Sequence, residues 1–184
     1  MFGFAYGEKE NGAVFSHMTV MYGNALYRQG FAKEGHKVLD TLLRACRNFD
    51  NSRMYPGVPE YFDKTGRGLY SYLTGAASWY MLTMINEVFG VKGDCGDMVI
   101  KPALMPEEFD NNGQASVSLN FAGRAFDIVF ENESRVMPED MKIASAKLDG
   151  DEMEVSDGGQ IRILKDDLGR LSVNERHTVV IVYA

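Results

Sequence analysis

A chain of 184 residues has room for one large domain or two small ones, and an apolar fraction of 45% with only 5 prolines suits a folded globular protein. Its net charge of −7 argues against nucleic acid as a main partner, because holding a phosphate backbone needs a basic face. No apolar run reaches transmembrane length and no signal peptide is legible, so a cytoplasmic protein with two free thiols, Cys46 and Cys95, is expected.

The charge is uneven along the chain. Up to residue 93, Lys and Arg number 10 against 8 Asp and Glu; beyond it, 9 stand against 18. That asymmetry predicts two units with different surfaces, residues 1–93 and 94–184.

The first half has a helical period. Asn11 is placed to cap a helix over about 12–29, with Gly30 as its left-handed stop. A second helix is predicted over about 32–48, with Phe31, Gly35, Val38, Leu39, Leu42, Leu43 and Cys46 along one stripe. The stretch "NSRMYPGVPEYFDKTGRG" follows, rich in Gly, Pro and charge, and reads as a long loop of the kind that more often carries function than not. A third helix, almost wholly apolar from Trp79 to Phe89, is capped by Thr74 and closed by Gly90.

The period then changes to two. Val117, Leu119 and Phe121 alternate in one strand and Phe126, Ile128 and Phe130 in the next, with "AGRA" as the turn between them. Further strands are predicted over about 98–101, 142–148, 160–164 and 178–183, with "LDGDE" as another turn. The class is therefore α+β: a helical unit followed by an antiparallel β-domain of sandwich type. One mismatch stands out. The first and third helices are apolar around most of their circumference, and three helices with one small sheet cannot cover them. The helical half reads as part of a larger helical assembly, completed by more chain, by oligomerisation or by a separate polypeptide.

Few residues here can carry chemistry. His17 is a lone histidine on an apolar helix, a setting that usually means a hydrogen-bonded core residue; Met21 and Asn24 follow one and two turns on and are unremarkable. His36 and His177 stand in exposed-looking contexts. Thr74 and Gly75 open the third helix, where the leading N–H groups lack partners and the peptide dipoles leave roughly half a positive charge. A phosphate or sulfate can accept those bonds, with the Thr74 hydroxyl as a further donor and no Cβ at Gly75 in its way. The alternative is an ordinary N-cap followed by small residues that allow close packing. In the loop, Glu60, Asp63, Lys64 and Arg67 accompany Tyr55 and Tyr61. Rings beside carboxylates suit a sugar, and a solvated charged loop is equally compatible. No nucleotide, dinucleotide or serine-hydrolase fingerprint is present, nor a His–carboxylate cluster with metal spacing.

Taken together, "ENGAVFSHMTVMYGNALYRQGFAKEGHKVL", "YPGVPEYFDKTGRGLYSYLTGAASWYMLT" and "FGVKGDCGDMVIKPALMPEEF" resemble the C-terminal part of the inverting β-glucoside phosphorylases of glycoside hydrolase family 94. Within that family the segments look closest to the 1,2-β-oligoglucan phosphorylase branch, with the cellobiose phosphorylase branch second. The likeness covers residues 10 to about 108 closely and the β-rich remainder in outline. It implies the last helices of an (α/α)6 barrel followed by the family's β-domain, the rest of the barrel supplying the missing neighbours.

The resemblance also implies roles. His17, Thr74 and Gly75 match positions that bind inorganic phosphate, which is a substrate; no cofactor and no metal is implied. Glu60 and Tyr61 fall near a family position that contacts phosphate through glutamine, and a carboxylate there faces sugar hydroxyls rather than the anion. The aspartic general acid and a phosphate-holding arginine lie in upstream barrel segments, so no residue of these 184 is the acid and the chain alone is expected to be inactive. The partners implied are a β-glucan oligosaccharide or disaccharide and phosphate, with a homo-oligomer or the remaining barrel as protein partner. A non-catalytic sugar- or partner-binding module from a split gene is the competing reading, and a hydrolase that uses water is a third.

Overall fold

The computed structural model describes residues 3–54, 57–71, 75–156 and 158–184. The chain divides into two compact units, residues 1–84 and 85–184.

In the first unit a two-residue strand, β1 (Val14–Phe15), leads into α1 (Ser16–Arg28). The helix therefore starts later than its period implies, and Asn11 is not its cap. Asn11 instead donates from Nδ2 to the Phe4 carbonyl at 2.9 Å, and Gly12 turns the chain with φ +97°. The end of α1 is as expected: Gly30 is left-handed at φ +85°, its N–H reaches Tyr27 O, and the Phe31 N–H reaches Leu26 O. Those two bonds satisfy the last carbonyls in the six-to-one, five-to-two pattern that a glycine stop makes possible.

Helix α2 (Ala32–Arg47) returns antiparallel to α1. Leu39 packs on Gly23 and the Tyr27 ring packs on Gly35, each glycine letting the partner side chain reach the backbone. The predicted loop holds regular structure after all: a short α3 (Phe49–Ser52), then β2 (Tyr61–Phe62) and β3 (Gly68–Leu69). Strands β1, β2 and β3 make a small antiparallel sheet. Its hairpin is closed by Asp63, whose Oδ1 accepts from the Thr65 hydroxyl and from the Thr65 and Arg67 N–H groups, which holds its carboxyl below the usual carboxylate range. Helix α4 (Gly75–Thr83) follows, and the chain then makes a π-helical turn, Met84–Val88.

The second unit has two sheets. β4 (Val91–Asp94), β5 (Asp97–Ile100) and β10 (Ile161–Ile163) form one, in the order β10-β5-β4. The other has the order β6-β7-β11-β8-β9, from β6 (Gln114–Phe121), β7 (Arg124–Glu131), β8 (Ile143–Leu148), β9 (Asp151–Glu152) and β11 (Arg176–Tyr183). A short α5 (Lys165–Arg170), absent from the sequence reading, lies between β10 and β11. Three hairpins turn on two residues with positive φ, Cys95–Gly96, Ala122–Gly123 and Asp149–Gly150, the turn whose twist matches the strands it joins.

One pairing departs from the antiparallel expectation: β11 runs parallel to β7 and antiparallel to β8. Parallel neighbours need a long crossover, here supplied by everything between Glu131 and Arg176. Inside the unit Phe126, Ile128, Phe130, Val179 and Ile181 are fully buried. The class is α+β, with mostly antiparallel small sheets and, among the described residues, no closed barrel. None of the described helices is long and apolar enough to cross a membrane.

The helical unit is packed less completely. Among its described large apolar side chains only Val20 is fully enclosed, while Met18, Tyr22, Met81 and Leu82 on α1 and α4 are each more than half exposed. An apolar groove of about 560 Å³ runs past Val14, Tyr22, Val38, Leu42 and Phe62.

Candidate functional site

The β1–β2 ladder pairs Val14 with Phe62 and Phe15 with Tyr61, and ends with the Ser16 N–H donating to the Glu60 carbonyl at 2.9 Å. The chain becomes helical from that point. Among the described residues no side chain caps α1, and the N–H groups of His17 and Met18 have no acceptor within the helix, at the end where its dipole is positive.

Helices α1 and α4 pack side by side and run the same way. Near their starts the His17 imidazole lies on Gly75: a Cβ there would sit 2.7 Å from His17 Cε1 and 2.9 Å from Nδ1. One turn along α4 the Trp79 ring is 6.0 Å from the imidazole, centre to centre. Farther on, Asn24 Nδ2 donates to Thr83 Oγ1 at 3.2 Å, and Thr83 Oγ1 donates to the Trp79 carbonyl at 2.7 Å. His17 and Asn24 share one face of α1, and Gly75, Trp79 and Thr83 share one face of α4, matched in the same order. The two amino ends therefore lie together, and their positive dipole ends add.

His17 Nε2 is buried and has no hydrogen-bond partner among the described residues. Leaving such a group unsatisfied costs about 1–3 kcal/mol, a penalty that a ligand atom bonded to it would relieve. The arrangement of a ring nitrogen, the leading amides of α1 and two adjacent positive helix ends is suited to an oxyanion. Among the described residues no group of three or more His, Cys, Asp or Glu side chains is arranged to hold a metal ion.

Of the predicted site residues, His17 and Gly75 are brought into contact. Thr74 lies outside the described residues; in sequence it immediately precedes α4. Glu60 contributes its backbone, which fixes where α1 begins. Tyr61 is 3% exposed, its ring against Phe15 and Tyr70 and its hydroxyl donating to Glu8 Oε2 at 3.1 Å. Burial, then the Glu8 carboxylate, push its phenol up to about 12. Its ring is used for packing and offers no open face for a sugar to stack on.

Two features of the site were not legible as functional. Asn24 reads as an unremarkable polar residue, yet it ties α1 to α4 through Thr83; the seven-residue step from His17 was the available signal. Ser16 is fully buried with an Oγ that has no partner among the described residues, but it lies on the face of α1 shared with Val20, Gly23 and Tyr27, turned toward α2 rather than α4. His177 is only 4% exposed, contrary to its polar sequence context. Its Nε2 donates to Ser172 O at 2.9 Å and its Nδ1 lies 2.7 Å from Asp149 Oδ2, contacts that raise its pKa.

No protein-family model matches the chain, and no curated protein matches it.

Proposed function

We propose that the chain carries the closing helices of an (α/α)6 barrel and the following β-domain of an inverting β-glucoside phosphorylase, with His17, Thr74 and Gly75 in its inorganic phosphate site. The observation that carries this reading is the partnerless Nε2 of His17, held against Gly75 where α1 and α4 begin together. The three sequence segments supply the family; the geometry supplies a reason for a phosphate to settle there. Parallel α1 and α4 with α2 running back between them in sequence is also the pattern of inner and outer helices in such a barrel, and the exposed apolar faces of α1 and α4 are what missing neighbours would cover.

In this reaction phosphate attacks the anomeric carbon while a carboxylic acid protonates the departing oxygen, in the inverting geometry of hydrolases with phosphate replacing water. The protein's part at His17 and α4 is positioning: amides and the imidazole hold some phosphate oxygens and leave one aimed at the sugar. On this reading the acid comes from the upstream barrel segments that the family resemblance implies. Glu60 is assigned to sugar hydroxyls, and Tyr61 to shaping the hairpin beneath it.

Thermal unfolding in phosphate against chloride at matched ionic strength tests the reading. A ligand at a hundred times its Kd stabilises by about 2.7 kcal/mol, so the midpoint should climb with phosphate in the native chain and stay flat in His17→Ala. An equal climb in both would sink the assignment. The module reading draws support from the exposure of Met18, Tyr22, Met81 and Leu82, which suits a partner-binding face. A flat response in the native chain would favour it, as it would a hydrolase.

A further inference from the structure

We propose that β6 is a pairing edge, and that its occupant is β6 of a second copy of this chain, joining the two five-stranded sheets antiparallel about a two-fold axis.

The edges of a sheet expose unpaired N–H and C=O groups, and proteins usually blunt them with charge, proline, shortness or a bulge. The other edges of this unit are blunted. β9 has only two residues, Asp151 and Glu152, both acidic. β4 carries Lys92 and Asp94, and three-residue β10 carries Arg162. β6 has none of these devices: it is eight residues long, reads QASVSLNF without charge or proline, and pairs with β7 in unbroken register.

Its free groups follow from the turn. The two-residue loop Ala122–Gly123 makes Phe121 and Arg124 the closing hydrogen-bonded pair, so the odd-numbered residues of β6 bond to β7 and the even-numbered ones point their N–H and C=O outward. Gln114 agrees with this parity, since its N–H and C=O are both taken by Asp110 on the side away from β7. That leaves Ser116, Ser118 and Asn120, all exposed, with outward amides and carbonyls that have no partner among the described residues.

Only one register about a two-fold uses those three residues and leaves Gln114 out. It sets Ser118 opposite Ser118 of the partner subunit and Ser116 opposite Asn120 of the partner subunit, which exchanges about six backbone hydrogen bonds. In that register Val117 meets Leu119 of the partner subunit and Ala115 meets Phe121 of the partner subunit, so apolar faces apolar and polar faces polar on the two sides of the sheet. Electrostatics select the occupant. The unit is acidic overall, but β6 itself is neutral, so a copy of β6 brings no like charge to the seam, while a charged strand would find no counter-charge on it.

Sedimentation equilibrium of the full chain should show a reversible dimer. Ser118→Lys sets two ammonium groups face to face at the axis and should weaken the dimer at least tenfold, with the far-ultraviolet spectrum unchanged. In a Cys95→Ser background, Ser118→Cys should cross-link on mild oxidation, because the two Cα atoms lie about 5.5 Å apart. Ser116→Cys should not, being separated from its own copy by about 13 Å of strand. A monomer at all concentrations, or a dimer that neither loses affinity with Ser118→Lys nor cross-links through Ser118→Cys, overturns the proposal. Both readouts concern the β-unit alone, so they stand or fall independently of the phosphate test.

Discussion

The imidazole of His17 fills the volume that a side chain on Gly75 would take, with Cε1 2.7 Å from the position of the absent Cβ. Glycine at the start of α4 is thus explained by a contact with another helix rather than by backbone conformation. Gly75→Ala should separate fold from function. Alanine is up to about 1 kcal/mol better than glycine within a helix, which offsets part of the about 1–3 kcal/mol of overpacking. The unfolding midpoint should move little, while the rise with phosphate expected of the proposed site should be lost because the ring has been pushed aside. Parallel thermal melts with and without phosphate check this.

Asn24 and Thr83 fasten the same two helices farther along. Thr83→Val keeps the shape but removes both the acceptor for Asn24 Nδ2 and the donor to Trp79 O. With Thr83 fully buried, the loss should be about 1–3 kcal/mol by urea denaturation. In a double-mutant cycle Asn24→Ala and Thr83→Val should be non-additive by at least about 0.5 kcal/mol, and additivity would show that the bond contributes nothing.

Much of this was legible wherever the cause is local. Gly30 stops α1 because a left-handed residue there frees two amides for the last carbonyls, a requirement visible in the sequence. The hairpin after Phe121 was legible because Ala122–Gly123 stands between two alternating runs. What depends on distant chain was not. Asn11 looked like a cap because nothing nearby shows that Val14 and Phe15 will pair with Tyr61 and Phe62. Tyr61 looked like a sugar platform because a loop aromatic carries no mark of burial. β11 alternates identically in a parallel or an antiparallel pair, so its direction was hidden. His177 was a missed inference of another kind: it keeps the inward parity of Val179 and Ile181, and the polar residues before it masked that.

The His177–Asp149 pair should shape stability against pH. The Ser172 carbonyl first, and then the Asp149 carboxylate, favour the charged form of the ring and raise its pKa above the ordinary 6.5. Its contribution is therefore fully present below about 6.5 and is lost as pH rises through the raised folded value. Burial opposes ionisation of Asp149, but the Thr178 N–H and His177 outweigh it and lower its pKa, so its contribution is lost only as pH falls through that lowered value. Urea midpoints should be highest between these limits, and His177→Gln should flatten the decline on the alkaline side. A native profile that stays level from pH 6 to 9 would contradict this.

Gly90 is the position least able to change. It is left-handed at φ +71°, its carbonyl accepts from the Lys101 N–H at 3.0 Å, and a Cβ would fall inside the Lys101 carbonyl. The obstacle is backbone, held in place by the β4–β5 ladder that pairs Val91 with Ile100, so it cannot swing away as the tip of a side chain can. Gly90→Ala adds about 1–3 kcal/mol of left-handed strain to about 1–3 kcal/mol of overlap, a total on the order of 2–6 kcal/mol. Gly93→Ala in the same hairpin is the control: its φ is ordinary and a Cβ would meet only the Phe121 ring at 3.6 Å, so it should cost well under about 1 kcal/mol. If urea denaturation shows the two variants equally stable, the close approach of Gly90 to Lys101 is not what fixes glycine at the end of the π-helical turn.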